Sequence, residues 1–161
     1  MIYSLFNTKP TLKELIPSGF VDIHSHILPG IDDGAKNIQE TLELISEMKS
    51  LGFSKIIATP HTYPGLYDNT NISIKNSFEK IINDYNNDLI ISCASEYMLD
   101  NYMIKKANEK SLLCIGDNYV LVEMSYITNP INLFDILFNI HLNGYKIILA
   151  HPERYIFYFD K

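Results

Sequence analysis

Short runs of consecutive apolar residues alternate along this sequence with longer segments whose apolar residues are three or four positions apart. The first pattern is typical of strands buried in a parallel sheet, and the second is typical of helices with one apolar face. Strands are predicted at 21–26, 54–59, 89–94, 119–122 and 145–150. Helices are predicted at 38–51, 71–85, 100–108 and 130–143, with a short one near 12–15. This alternation predicts an α/β fold with parallel strands and outer helices.

Local signals fix the ends of two predicted helices. Asn37 is a good N-cap, and Glu40 three residues later completes a capping box, while Gly52 ends this helix. Pro130 suits the first turn of the last helix, and Gly144 closes it.

Histidines and acidic residues stand at the end of each predicted strand. They are, in chain order, His24 with His26, His61, Glu96, Glu123 and His151. Side chains two apart on a strand share a face, so Asp22, His24 and His26 are expected to point the same way. Because the C-terminal ends of parallel strands meet on one face of a barrel, all of these groups are expected to converge there.

Each of these residues also has an ordinary structural explanation when it is taken alone. The strand histidines could be simple packing, His61 could cap a turn and His151 could be a core histidine. Glu96 could be a solvated loop acid, and Glu123 could pair with a lysine. Their joint placement instead favours a metal site, and imidazole with carboxylate suits a transition metal. Asp22 could orient one ligand from behind or make a hydrogen bond at the strand end.

Composition limits the function classes. The chain has 161 residues, which indicates one domain, and its net charge of −6 without a basic run argues against a nucleic-acid partner. We expect no insertion into a membrane, because no apolar segment is long enough to cross one and the start lacks a signal-peptide pattern. Cys93 and Cys114 have no metal or redox spacing, so two free thiols favour a cytoplasmic location.

Other hydrolytic chemistries lack their motifs. Cysteine-dependent tyrosine phosphatases need an arginine six residues after the cysteine, where this chain has Leu99 and Val120. There is no Gly-x-Ser-x-Gly elbow and no Gly-Lys-Ser/Thr phosphate loop. In the loop after His61, Tyr63, Gly65 and Tyr67 could line a substrate groove, although a solvated loop is the preferred interpretation.

Five motifs in order resemble the PHP (polymerase and histidinol phosphatase) superfamily. Within it the sequence is most similar to the bacterial manganese-dependent protein-tyrosine phosphatases of capsule and exopolysaccharide operons. The motifs are Asp22–Gly34, Thr59–His61, Ser95–Tyr97, Val122–Ser125 and Ala150–Arg154. The resemblance implies a leader at 1–19 and a PHP-type metallophosphatase domain at 20–161, folded as a distorted (β/α) barrel.

The resemblance also implies which residues form the site. Three metal sites are implied: His24, His26 and Glu96 for the first, Glu96, Glu123 and His151 for the second, and Asp33 and His61 for the third. Arg154 corresponds to the family arginine near the phosphate, and Asp33 and Arg154 are the expected catalytic residues. The implied cofactor is Mn²⁺ or another divalent transition metal, with up to three ions.

One departure from the family pattern affects this mapping. Family members continue through further strands and supply a late Asp-x-His and a late arginine, whereas this sequence stops at Lys161. We therefore expect a partial barrel that lacks its C-terminal strands, with a full set of protein ligands only at the second metal. Its unpaired strand edges would favour association with a second copy of the chain.

The implied activity is metal-dependent hydrolysis of phosphotyrosine on proteins, with a bacterial tyrosine kinase of polysaccharide synthesis as the expected partner. Two alternatives stay open. One is another PHP phosphoesterase, either of the histidinol-phosphate type or a nuclease. The other is an inactive metal-binding remnant that docks a kinase.

Overall fold

The computed structural model describes residues 9–85 and 88–159, and its elements follow the predicted alternation. The helices are α1 (Leu12–Leu15), α2 (Ile38–Leu51), α3 (Asn71–Asp84), α4 (Asn101–Asn108) and α5 (Leu133–Leu142). The strands are β1 (Phe20–Ser25), β2 (Phe53–Ala58), β3 (His61–Thr62), β4 (Ile90–Cys93), β5 (Glu96–Met98), β6 (Tyr119–Glu123) and β7 (Lys146–Leu149). Two 3-10 turns follow, Pro152–Arg154 and Ile156–Tyr158. The first eight residues of the predicted leader lie outside the described part of the chain.

All strand pairs are parallel, and they form two sheets in the orders β1-β2-β4 and β3-β5-β6-β7. The chain passes twice from the first sheet to the second, from β2 to β3 and from β4 to β5. If β2 with β3 and β4 with β5 are each counted as one interrupted strand, the strands lie side by side in their sequence order, as they do in part of a (β/α) barrel. The described helices and strands form a mixed α/β fold with two sheets, and the described strands do not close into a barrel.

The two interruptions correct the predicted strand ends. His61 and Glu96 were expected to end strands, but each is the first residue of a second, shorter strand. Proline has no backbone N–H, so Pro60 cannot continue the ladder of β2 as a donor. Its carbonyl oxygen instead accepts a hydrogen bond from the Glu96 N–H at 3.0 Å, which starts the new pairing.

The register of the second sheet places His61 directly beside Glu96 and puts Glu123 at the next position on the same face. His61 of β3 lies opposite Glu96 of β5, and Met98 of β5 lies opposite Glu123 of β6. Neighbouring parallel strands lie about 4.8 Å apart, so side chains on the same face at paired positions come within contact distance.

The local signals at the helix ends are mostly confirmed. The side chain of Asn37 accepts a hydrogen bond from the Glu40 N–H at 3.0 Å, and Gly52 ends α2 with φ +104°. The predicted capping box was wrong, because the Glu40 carboxylate accepts from the backbone N–H of Lys36 and from the Asn37 side-chain amide instead of the Asn37 backbone N–H. Gly144 follows α5 in the left-handed region. The prediction for Pro130 was wrong, because α5 begins three residues later and the Pro130 carbonyl accepts from the N–H of Leu133.

Two apolar clusters hold the layers together. One packs the first sheet against α2 and α3 through Ile45, Ile56, Ile74 and Ile81. The other packs the second sheet against α4 and α5 through Met103, Val120, Ile140 and Tyr155. Full burial of such a side chain contributes about 1.5–3 kcal/mol, so the strands that carry the site are firmly held. In the described part of the chain, no helix has the length and apolar character needed to cross a membrane.

Candidate metal centre

Glu96 lies at the centre of a cluster of four imidazole rings. Its side chain is fully buried, and Oε2 lies 3.2 Å from Nε2 of His24, 3.3 Å from Nε2 of His26 and 3.1 Å from Nδ1 of His61. Its other oxygen, Oε1, lies 2.9 Å from Nε2 of His151. These residues come from β1 and the loop after it, from β3 and from the chain after β7, so the fold joins positions that are distant in sequence.

Two further carboxylates stand beside His61. Oε1 of the buried Glu123 lies 2.8 Å from Nδ1 of His61. On the other side of the ring, Oδ1 of Asp33 lies 3.6 Å from Nε2 of His61 and 3.9 Å from Nδ1 of His26. The side chain of Asp33 is 60% exposed, so this acid faces the solvent at the mouth of the cluster.

Three groups in the cluster have ligand atoms within 4.8 Å of one another, which is close enough to hold a metal ion. They are His24 with His26 and Glu96, His26 with Asp33 and His61, and His61 with Glu96 and Glu123. The first group matches one implied ligand set. In the second group, His26 lies with Asp33 and His61, the two residues implied for the third metal. In the third group, His61 takes the place beside Glu96 and Glu123 that the resemblance assigned to His151.

The donor set suits a divalent transition metal. Oε2 of Glu96 is buried and has no hydrogen-bond partner in the described structure, although three imidazole nitrogens surround it. Nδ1 of His151 is likewise buried without a partner among the described residues. An unsatisfied buried carboxylate oxygen is costly, and a cation between these atoms would remove the cost. Mixed imidazole and carboxylate ligands favour transition metals over Ca²⁺ or Mg²⁺.

The charges of the cluster are strongly coupled. Burial lowers the pKa of His26, but its contacts with Asp32 and Glu96 outweigh burial and raise the pKa to about 10. Burial raises the pKa of Glu96, but the imidazoles of His24 and His26 outweigh it and hold that pKa well below its usual range. Glu96 is therefore ionised at neutral pH, as a metal ligand must be.

Asp32 supports the cluster from behind, a role that the sequence analysis did not assign. Its Oδ2 lies 2.7 Å from Nδ1 of His26 and accepts a hydrogen bond from the His61 N–H at 3.1 Å. Its Oδ1 accepts from the Gly34 N–H at 3.0 Å, which is the Asx turn expected for Asp two residues before Gly. Asp22, the acid considered for this role, accepts a hydrogen bond from the His24 N–H at 3.2 Å, which agrees with the strand-end alternative.

Gly34 is needed where the acidic turn meets β1. A Cβ atom at this position would overlap the carbonyl oxygen and Cβ of His26. Only glycine therefore lets the turn approach closely enough for Asp32 to reach the His26 ring.

His151 and Arg154 lie on a strained turn after β7. His151 has φ +30°, in the left-handed region that is unfavourable for residues with a Cβ, and such strain often marks a functional site. Arg154 ends the 3-10 turn that follows, and its Nη1 donates a hydrogen bond to the hydroxyl of Tyr126 at 3.2 Å. The guanidinium also lies 5.9 Å from the centre of the Tyr126 ring, a distance that permits a cation–π contact.

Two open cavities meet at Arg154 and His61. A polar cleft of about 450 Å³ contains the rings of His24, His26 and His151 together with Glu96. A second pocket of about 380 Å³ adjoins it and includes Tyr63 and Tyr67 in its wall. The preference for a solvated loop was wrong for Tyr67, because its ring is partly buried and stacks on His61 at a centroid distance of 5.2 Å.

The structure thus brings all of the predicted site residues to one end of the sheets. His24, His26, His61, Glu96, Glu123 and His151 form the cluster, while Asp33 and Arg154 stand at its solvent side. The fifth histidine, His141, lies in α5, as expected.

Comparison with known proteins gives a consistent family match. A family model described as capsular polysaccharide synthesis, CpsB/CapC, matches residues 20–161. Tyrosine-protein phosphatase YwqE of Bacillus subtilis is 30% identical over 142 residues, which cover 83% of this chain and 54% of that protein. Tyrosine-protein phosphatase CpsB of Streptococcus pneumoniae is 32% identical over 141 residues, which cover 84% of this chain and 57% of that protein.

A solved structure shares the fold. It comes from a study of YwqE from Bacillus subtilis and CpsB from Streptococcus pneumoniae, described as unique metal-dependent tyrosine phosphatases. The TM-score is 0.73 at 28% identity, and the superposed region covers 84% of this chain and 56% of that chain. The present chain therefore spans just over half the length of the relatives it matches.

Proposed function

Because the chain belongs to the CpsB/CapC family of capsular polysaccharide synthesis proteins, we propose that it carries a metal-dependent site for hydrolysing phosphotyrosine on proteins. The observation that carries this proposal is Glu96, a buried carboxylate contacted by four imidazoles beside a cleft that Arg154 lines. A buried carboxylate oxygen without a hydrogen-bond partner among the described residues, surrounded by imidazole nitrogens, is a donor set that a cation would satisfy.

We assign the metal-holding role to seven residues. They are His24, His26, Asp33, His61, Glu96, Glu123 and His151. Up to three ions of Mn²⁺ or another divalent transition metal would suit these donors. When bound, such ions supply Lewis acidity and a nucleophilic hydroxide near neutral pH.

Arg154 and Asp33 are the proposed catalytic residues. Arg154 is exposed at the border of the two cavities, where its planar guanidinium can bind two phosphoryl oxygens at once. Asp33 can orient a water molecule beside His61, because its side chain is 60% exposed and its Oδ1 lies 3.6 Å from Nε2 of His61. The leaving group would be a tyrosine phenolate, whose parent pKa of about 10 makes it easier to expel than an aliphatic alkoxide.

The partner we propose is the phosphotyrosine segment of a bacterial tyrosine kinase that acts in polysaccharide synthesis. The family description and the names of the relatives support a phosphotyrosine protein of polysaccharide synthesis, and the choice of a kinase comes from the resemblance of the motifs. A cytoplasmic location is consistent with the free thiols of Cys93 and Cys114. We further propose that residues 20–161 are the first five strands of a PHP-type distorted barrel, with the interrupted strands each counted once.

One observation favours a second candidate, a metal-binding chain that does not turn over substrate. The matched region covers only 54% and 57% of the two named relatives. The family pattern places further ligands in the later strands. Residues 20–161 taken by themselves would then bind metal and dock the kinase, and turnover would depend on those further ligands.

The test is hydrolysis with Mn²⁺ of three substrates: a phosphotyrosine peptide, histidinol phosphate and single-stranded DNA. The chain is assayed alone and joined to the later strands of the Bacillus subtilis relative. The proposal expects selective hydrolysis of the phosphopeptide that Glu96→Gln abolishes and that Glu47→Gln, an exposed helix position, leaves intact. Activity only in the joined chain would favour the second candidate for this chain alone. A preference for histidinol phosphate or DNA, or activity unaffected by Glu96→Gln, would overturn the proposal.

A further inference from the structure

Large apolar side chains stand exposed in a row along the outer face of α5. Phe134 is 81% exposed, Phe138 61% and Leu142 66%, and Ile131, in the turn that leads into the helix, is 100% exposed. The three helix residues are four positions apart, so they follow one ridge of the helix surface. Single exposed apolar residues are common, but a contiguous row of them marks an interaction surface.

The row lies on the side of α5 that faces away from the rest of the fold. Leu133, Ile136 and Ile140 are buried on the opposite side, where they pack in the core of the second sheet and α4. At 3.6 residues per turn, Phe138 lies almost directly opposite these three positions. A further strand and helix added beside β7 would lie next to α5 in the same layer and would leave this outer row exposed. A partner that covers the row must therefore approach from outside the fold.

The surroundings of the row are almost free of charge. Between residues 124 and 145 the sequence has no Lys or Arg, and Asp135 is its one acidic residue. Helices that lie on a membrane surface are rich in Lys and Arg on their polar side, so α5 lacks the groups that attract anionic lipids. The polar residues beside the row are instead uncharged, as with Asn132 and Asn139, which is typical of a protein–protein interface with an apolar centre and a polar rim.

The row is complementary to a second copy of itself. When two α5 helices cross antiparallel about a two-fold axis at Phe138, this ring meets Phe138 of the second copy. Phe134 then meets Leu142 of the second copy, and the same contact occurs again in the opposite direction. Ridges with a spacing of four residues fit into each other's grooves at a crossing angle of about −50°, the commonest class of helix packing.

The exposed area of the row is sufficient for a specific contact. From the exposed fractions of its four side chains, the row presents about 600 Å² of apolar surface on each copy. The pair would bury about 1,200 Å², which reaches the lower end of the range for specific protein–protein interfaces.

We propose that this row is the contact surface of a homodimer in which two copies of α5 cross antiparallel at Phe138. The proposal places the contact on a helix face, whereas the sequence suggested association through unpaired strand edges. It does not depend on the proposed phosphotyrosine hydrolysis, because the four side chains of the row lie outside both cavities of the metal centre. Both metal centres of the dimer would stay open.

The first test measures the molecular mass of the chain by sedimentation over a wide range of concentrations. The wild-type chain should form a dimer. Phe138→Glu puts two like charges opposite each other at the two-fold axis and should weaken the dimer by about 100-fold or more. Ile72→Glu makes the same change at a 71% exposed position on α3 and should leave the dimer intact. Circular dichroism should show that both variants are folded.

A second test addresses the antiparallel arrangement with two further variants. Phe134→Lys and Leu142→Glu should each weaken self-association when they are studied alone. A mixture of the two should dimerise more tightly than either one. In the mixed dimer a lysine faces a glutamate at one contact, and the other contact keeps its native phenylalanine and leucine.

A wild-type chain that stays monomeric at the highest concentration would overturn the proposal. A dimer that survives Phe138→Glu would also overturn it, because the contact would then lie elsewhere, for example at the edges of β1 and β7. The absence of any gain on mixing Phe134→Lys with Leu142→Glu would reject the antiparallel crossing. A monomer that floats with phosphatidylserine vesicles, and no longer does so after Phe138→Glu, would assign the row to a membrane surface instead.

Discussion

Oδ2 of Asp32 lies 2.7 Å from Nδ1 of His26, and this contact fixes the direction in which the His26 ring faces. With Nδ1 donating to Asp32, Nε2 of the same ring points at Glu96, 3.3 Å away. Asp32 thus orients a proposed ligand without belonging to any of the three candidate groups. Carboxylates behind histidine ligands commonly have this function.

Asp32→Asn should therefore weaken metal binding by about 10- to 100-fold, because the amide is a poorer acceptor for the imidazole N–H. Calorimetric titration with Mn²⁺ measures the change. Asp22→Asn is the matched control, since an amide oxygen can still accept the hydrogen bond from the His24 N–H. A larger loss for Asp22→Asn than for Asp32→Asn would show that the orienting acid was chosen wrongly.

Binding of Mn²⁺ should also stabilise the folded chain. A ligand that binds only the native state at 100 times its dissociation constant adds about 2.7 kcal/mol to the free energy of unfolding. Thermal unfolding should shift upward with Mn²⁺ and return on addition of EDTA, and Ca²⁺ should have a smaller effect because it prefers all-oxygen sites. An unfolding temperature that does not respond to Mn²⁺ would argue against the site.

Gly34→Ala should disrupt the acidic turn, because the added Cβ would overlap the backbone of His26. We expect lower stability together with a reduced Mn²⁺ content, measured by thermal unfolding and elemental analysis. Gly65→Ala is the comparison, since Gly65 has φ +85° but open space around it. The comparison variant should lose only about 1–2 kcal/mol for its left-handed backbone and keep its metal. Equal metal content in both variants would contradict the role given to Gly34.

Arg154→Lys should separate phosphate binding from metal binding. Lysine keeps the charge but loses the planar fork and the geometry of the contact with Tyr126. The affinity for phenylphosphonate should fall by about ten-fold or more, and Mn²⁺ binding should stay unchanged because Arg154 is in none of the metal groups. Unchanged phosphonate affinity in the lysine variant would place the phosphoryl group elsewhere.

Much of this architecture is readable in the sequence, because strand and helix patterns differ in period. The positions of His24, His26 and His151 relative to apolar runs were enough to predict that they converge, and the family match over 20–161 confirms the resemblance drawn from the same motifs. The seven ligand assignments stay a prediction that metal binding must test.

Other features depend on contacts that no local pattern reveals. The strands predicted at 54–59 and 89–94 are each followed by a second short strand, which begins at His61 or Glu96. This division arises from pairing between strands that are distant in sequence, so the sequence pattern alone predicts one continuous strand in each place. Asp32 is one of two adjacent acids, and only the folded turn shows which one reaches His26. Tyr67 lies in a polar loop, and its stacking on His61 follows from the path of that loop.

The most direct measurement of the central claim is the anomalous scattering from a crystal grown with Mn²⁺. The account predicts at least one strong peak within about 2–2.5 Å of the carboxylate of Glu96 and of imidazole nitrogens from His24, His26, His61 or His151. A map with no peak in this cleft, or with Mn²⁺ bound only at other acidic surfaces, would contradict it.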